Sequence, residues 1–179
     1  MAVRMFLLFG ILVVIMVSCR FPMLGLQLQA YKGQELRLDG YYYRNNYSFK
    51  DDIWVKIFFF YKNGVVLNGS SSALSSLGEL EERFKNGSYH SWNREYRTTW
   101  GVHRIEGDKI QFEVWIHRGG ALRLDRLVRT GKILNDSTFV INRILIRGDV
   151  RYPMVASDTF HFKEFSPKPD STNSFIVVQ

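Results

Sequence analysis

Residues 95–117 read EYRTTWGVHRIEGDKIQFEVWIH, and this stretch decides the fold. Glu106-Gly107-Asp108-Lys109 is a turn sequence, flanked on both sides by alternating apolar and polar residues rich in aromatic and β-branched side chains. If Ile105 opposes Ile110, then His103 faces Phe112, Gly101 faces Val114 and Thr99 faces Ile116 on one side of a hairpin. The other side pairs Arg104 with Gln111, Val102 with Glu113 and Trp100 with Trp115. The first face reads as core, whereas the second carries two tryptophans among polar groups.

The same texture runs outward from this hairpin. Upstream, Leu38 to Arg44 and Ile53 to Tyr61 are strand candidates, and Asn63-Gly64 joins the second to Val65-Val66-Leu67. Asn-Gly tolerates the positive φ of a tight hairpin turn, so with Lys62 opposite Val65 the spacing places Tyr61 against Val66. Downstream, Gly119-Gly120, Asn135-Asp136-Ser137 and Gly148-Asp149 punctuate strands over 122–134 and 138–147, and Ser157 to Phe165 closes the series. A turn at Asn135-Asp136 sets Val128 opposite Arg143 and Leu124 opposite Arg147, so neither face there is cleanly apolar. No proline falls between residues 38 and 152, which leaves the ladders uninterrupted.

One segment differs. Leu74, Leu77, Leu80 and Phe84 recur at helical spacing, Ser76 and Glu79 form a capping box, and Asn86-Gly87 is a suitable stop. A short amphipathic helix is expected there, packed across one opening of the sheet structure. Eight strands joined by short turns predict an all-β fold, an antiparallel up-and-down barrel closed to remove its edges, with an open β-sandwich as the alternative. A partly polar lumen accounts for the mixed faces of the later strands better than a dry sandwich interior does.

Leu38-Asp39-Gly40-Tyr41-Tyr42 resembles the Gly-x-Trp motif at the first strand of lipocalins, with Tyr42 in the place of tryptophan. The resemblance implies a lipocalin-like barrel. At the other extreme of the chain, Arg4 precedes an uncharged apolar run from Met5 to Val17 that ends in Val17-Ser18-Cys19. As a helix this run spans about 20 Å, short of the ~30 Å bilayer core, and its layout is that of a secretory signal. A small residue before a cysteine at the end of such a run resembles the lipobox of bacterial lipoproteins. That resemblance implies cleavage after residue 18 and lipid attachment at Cys19, as a thioether-linked diacylglycerol with an N-acyl chain such as palmitate. Arg20, where aspartate would be an inner-membrane retention signal, points by the same resemblance to the outer membrane. An ordinary cysteine, with cleavage elsewhere such as after Ala30, is the competing account.

The domain organisation expected is a signal peptide over 1–18, a lipid-anchored tether over 19–36, the barrel over 37–166 and a C-terminal tail over 167–179 whose Phe175-Ile176-Val177-Val178 could add to a sheet edge. The lone cysteine excludes an internal disulfide, so stability must come from packing. The formal charge of +7 is compatible with nucleic acid, but export argues against it, and anionic headgroups or acidic glycans fit better. The membrane, through the acyl chains, is the expected partner, with no nucleic acid and no cofactor.

Chemistry has little visible apparatus. The histidines at 90, 103, 117 and 161 have no metal-ligand spacing, and no Gly-x-Ser-x-Gly elbow or phosphate cradle is present. Asp51, Asp52, Glu95, Glu113 and Asp125 are available to a hydrolase, but nothing in their spacing selects a pair. The aromatics interleaved with arginines are more suggestive. Tyr42, Trp54, Trp100, Trp115 and Arg104 are the candidate ligand contacts if their face points into the lumen, where stacking platforms and cations suit an amphipathic or anionic ligand. Facing outward, the same residues make a protein or glycan interaction surface, and as packed core aromatics they do neither. The expected role is non-catalytic binding by an envelope protein, with an interaction module as the alternative and a hydrolase the least supported.

Overall fold

The structure, a computed structural model, describes residues 24–47, 53–69, 76–89, 95–117, 124–149, 151 and 153–177, with the side chains of 45–47, 53 and 54 outside that description. The signal segment, Cys19, Leu74 and Gly119-Gly120 also lie outside the described residues. Eight strands form one antiparallel meander: β1 (Gly40–Tyr47), β2 (Ile53–Phe60), β3 (Val65–Asn68), β4 (Trp100–Glu106), β5 (Lys109–His117), β6 (Leu124–Asn135), β7 (Thr138–Ile146) and β8 (Met154–Glu164). β8 returns to pair with β1, Tyr42 opposite Phe162, and the sheet closes into a barrel with no edge left for a ninth strand.

The hairpin of β4 and β5 has the register that its sequence dictates, Gly101 against Val114, His103 against Phe112 and Ile105 against Ile110. The hairpin of β2 and β3 does not. Phe60, not Tyr61, pairs with Val66, because the connection is three residues long: Gly64 N–H donates to Tyr61 O and Gly64 sits at φ 84°. This is a tight turn followed by a left-handed residue, the three-residue hairpin loop for which glycine is suited. The register shifts by one, and with it the face to which each aromatic points.

The pairing of β6 with β7 also departs from simple counting. Register shifts between Thr130 and Gly131 and between Ile133 and Asn135 set Val128 against Leu145 and Thr130 against Arg143. At Gly131 a Cβ would come within 2.2 Å of Val140 O, so only glycine permits that approach. The shifts put Leu127 and Ile133 of β6 and Phe139, Ile141 and Ile146 of β7 on the inner face, which Arg129 interrupts.

That inner face is one of two cores. Tyr42, Phe58, Phe60, Phe112, Phe139 and Phe160 fill the lumen. Ring centroids of Phe58 and Phe112 lie 4.8 Å apart and those of Tyr42 and Phe139 5.1 Å apart, across strands that are not neighbours, a contact possible only through the interior. An eight-stranded barrel is just narrow enough for side chains to fill it. The second core lies on the outside of β1 to β5, where Tyr41, Ile57, Phe59, Val65, Leu67, Trp100 and Trp115 form an apolar patch.

Three segments cover this outer patch. The helix α1 (Leu77–Lys85), with the expected Ser76 and Glu79 capping box, lays Leu80 and Phe84 against Phe59 and Phe165. It therefore packs on the wall of the barrel and not across an opening, because the buried stripe matches an apolar outer face. Tyr41 Oη donates to Glu81 at 2.5 Å, and Lys163 Nζ reaches the same carboxylate at 2.8 Å. The segment expected as a tether is docked over its described part: Leu24, Leu26 and Leu28 join the patch, and Gly25 and Leu26 N–H donate to Glu113 Oε2 at 2.8 and 2.7 Å. The tail, expected to extend a sheet edge, instead buries Ile176 in the same cluster, with Phe175 packed against it.

Candidate functional site

The barrel has two unlike ends. Every two- or three-residue hairpin turn, at 62–64, 107–108 and 136–137, lies at one of them, and there the lumen is stoppered. Leu36 joins the interior cluster, Arg37 N–H donates to Asp136 O at 2.9 Å, and Lys168 Nζ from the tail donates to Leu38 O at 2.7 Å and Phe60 O at 2.5 Å. His103, wholly buried below this stopper, donates from Nε2 to Tyr61 O at 2.9 Å, so Nδ1 is its bare acceptor, and no hydrogen bond reaches it. Desolvation holds this imidazole near about 4, neutral at ordinary pH.

At the opposite end the interior changes character. Two residues beyond Tyr42 and Phe58, strand alternation places Arg44 and Lys56 on the inner face, and β6 and β8 bring Arg129 and Asp158 to the same layer. Arg129 lies across the aromatic floor, its guanidinium carbon 5.3 Å from the Phe58 ring and 5.6 Å from the Phe112 ring. It is only 8 % exposed, and its Nη1 has no acceptor. Arg44 forms an ion pair with Asp158, and their side chains keep 30 % and 18 % of their exposure, so solvent reaches this layer. Among the described residues no carboxylate pairs with Arg129 or Lys56. Among the described residues this layer thus holds three cations against the carboxylate of Asp158, with the buried Asp125 further along the same face of β6.

The electrostatic consequence is visible in the amine. Burial first, then the neighbouring Arg129 and Arg44 charges, lower Lys56 from 10.5 to about 8, and desolvation lowers Arg129 to about 10. A guanidinium taken from water without a carboxylate carries an uncompensated penalty of several kcal/mol, which two ring faces offset only in part, at about 1 to 2 kcal/mol. An anion entering the mouth would meet Lys56 and Arg129 already in place. Two buried donors of this kind have the chemistry to hold a carboxylate or phosphate.

No known protein family, curated protein or solved structure matches this chain.

The described residues among those singled out from sequence do not assemble in the lumen. Of those whose side chains are described, Tyr42 alone points inward, and there it is packing: its hydroxyl is bound to Asp136 O at 2.7 Å and Arg37 O at 3.2 Å, and its ring touches Phe60, Phe139 and Phe162. Trp100 and Trp115 are buried on the outer wall beneath the chain's own terminal segments, with the Arg97 guanidinium 5.2 Å from the Trp115 ring. Arg104 points outward, paired with Glu106, beside a 430 Å³ recess under the docked N-terminal segment. Trp54 belongs to β2, two residues from Lys56, and its side chain lies outside the described residues, as does Cys19. Glu113, one of the carboxylates available to a hydrolase, holds the N-terminal segment. Among the described residues no cluster of metal-ligating side chains occurs.

Sequence reasoning passed over Arg129 and Lys56. The signal was present in part: Lys56 interrupts the apolar run Ile53 to Phe60, and parity with Phe58 sends it inward. For Arg129 the inward direction follows from its pairing with Phe112, whose own face the β4 and β5 hairpin fixes.

Proposed function

We propose that this chain is a lipid-anchored protein of the cell envelope, held at the outer membrane by acyl chains on Cys19, and that it binds a small anionic ligand without catalysis in the cationic mouth of its barrel. The anchor rests on the apolar run closing in Val17-Ser18-Cys19. The ligand class rests on one observation, the Arg129 guanidinium buried in the mouth with no carboxylate partner and with Lys56 beside it. The aromatic filling of the lumen leaves an acyl chain no room below that layer, which favours the anionic over the amphipathic ligand.

Calorimetric titration of the full chain, in a non-ionic detergent, with inorganic phosphate tests the ligand. Saturable binding that weakens with added salt and is lost in Arg129→Met and Lys56→Met is the expected result. Absence of saturable binding, or binding unchanged in both variants, would overturn it.

A further inference from the structure

We infer that the cationic mouth faces the membrane surface and that the anion it takes is the phosphate of an anionic phospholipid headgroup. This inference rests on the anion-binding and anchoring readings above and adds an orientation and a ligand source to them.

The orientation comes from the course of the N-terminal segment. A Cβ on Gly25 would meet Arg126 Nη1 at 2.9 Å and Arg147 Nη2 at 3.6 Å, and both arginines belong to the mouth end, near the start of β6 and the end of β7. Gln29 lies against Gly64, and Tyr31 N–H donates to Lys62 O at 2.7 Å, both in a hairpin turn at the stoppered end. The segment therefore climbs the wall from mouth to stopper as the chain runs forward, and followed backward to Leu24 it heads toward the mouth. Only residues 20–23 separate Leu24 from Cys19, and five residue steps reach at most about 18 Å. An acyl group on Cys19 thus holds the mouth end within a short distance of the bilayer, while the stopper is carried away from it.

Charge agrees with that orientation. At the stoppered end Arg37, Arg104 and Lys132 pair with Asp39, Glu106 and Asp108, the buried Lys168 amine is taken up by the carbonyls of Leu38 and Phe60, and Lys62 and Lys109 are exposed to solvent. At the mouth, Lys56 and Arg129 have no such match among the described residues. A barrel held with this end down places unmatched cations where the phosphate groups of a leaflet are concentrated. The negative potential that attracts them falls away within a Debye length of the surface, so only the near end feels it.

The test uses the acylated full chain in lipid nanodiscs with a paramagnetic label on a trace headgroup lipid, first in phosphatidylcholine and then with about a third phosphatidylglycerol. Amide resonances at Arg44 and Ile146, at the mouth, should broaden more than those of Gly64 and Gly107, and phosphatidylglycerol should increase the difference. Arg129→Met and Lys56→Met should each abolish that increase. Stronger broadening at Gly64 and Gly107 would overturn the orientation, and a protein mass without acyl groups would overturn the anchor on which it depends. If phosphatidylglycerol has no effect while inorganic phosphate still binds at Arg129, the lipid source falls and the free-anion reading stands. If neither binds, both fall.

Discussion

Glu113 Oε2 sits 2.8 Å from the amide nitrogen of Gly25, and the neighbouring N–H of Leu26 donates to the same oxygen at 2.7 Å. One buried carboxylate on the outer wall of β5 thus accepts two backbone donors from a segment 87 and 88 residues away in sequence, while Arg126 lies 3.6 Å from its other oxygen. Leu24, Leu26 and Leu28 add apolar contact, but side-chain burial alone does not fix where an extended segment lies. The carboxylate does.

Glu113→Ala should therefore free the N-terminal segment before it unfolds the barrel. Charge-assisted hydrogen bonds of this kind contribute about 1.5 to 3 kcal/mol, so a loss of that order is expected in urea unfolding. Hydrogen exchange at the amides of Gly25 and Leu26 should accelerate well beyond that of β5. Glu113→Gln, which keeps an acceptor oxygen, should lose less. Equal protection of these amides in wild type and Glu113→Ala would remove the carboxylate from this role.

How far the fold could be read depended on turn length. Gly107-Asp108 is a two-residue turn, its flanking Ile105 and Ile110 are directly opposed, and every pair from Gly101 to Ile105 followed from it. Asn63-Gly64 looks equally decisive, yet the turn includes Lys62, and one residue of difference exchanges inside for outside along β3. The bulge at Gly131 is a longer-range matter: a glycine in a strand signals close approach, but which partner residue is skipped depends on β7. The site was less legible than the fold because inward and outward are properties of the closed barrel. Trp100 and Trp115 satisfy the composition of a ligand platform, and only the covering segments, distant in sequence, show them as a buried wall. Arg129 resembles any strand arginine until Phe58 and Phe112 are placed beneath it.

Arg129 should cost the protein stability. Replacing an unpaired buried cation with an apolar side chain of similar volume is often stabilising by about 1 to 4 kcal/mol. Arg129→Met should accordingly raise the denaturation midpoint. It should also raise the Lys56 pKa from about 8 toward its ordinary value, because one of the two neighbouring positive charges is gone. Carbon-detected titration of the lysine side chain measures the second effect independently of stability. A destabilised variant with Lys56 unmoved would mean that Arg129 has a compensating partner.

Buried His103 sets an acid limit on the fold. Its folded-state pKa, near about 4, lies below the ordinary 6.5, so between these values the unfolded chain binds a proton that the native barrel refuses. Stability from this source is complete above pH 6.5 and falls as the pH drops toward 4. The shift corresponds to roughly 3 kcal/mol. Unfolding midpoints of wild type and His103→Gln, compared between pH 7 and pH 4, isolate the contribution: the variant keeps a donor for Tyr61 O but cannot titrate. Its curve should be flatter over this range, and parallel curves would show that the histidine does not govern the acid response.

The filled lumen makes a last prediction about what the barrel can and cannot hold. Phe139 stacks on Phe160 at 5.1 Å with an interplanar angle of 11°, and it touches Tyr42, Phe60 and Phe112 from strands on the far side. No neighbour can collapse into its place without leaving a closed ring of strands. Phe139→Ala should thus sit at the costly end of core truncations, about 3 to 5 kcal/mol, a large part of the 5 to 15 kcal/mol by which domains are commonly stable. The space created is lined by rings and should stay dry, so benzene ought to bind it and recover part of the lost stability, as mass action requires. Wild type should show no such response to benzene. A wild-type barrel stabilised by benzene as strongly as the variant would mean that the aromatic filling leaves a ligand cavity after all, and the amphipathic carrier would return as the better account of this protein.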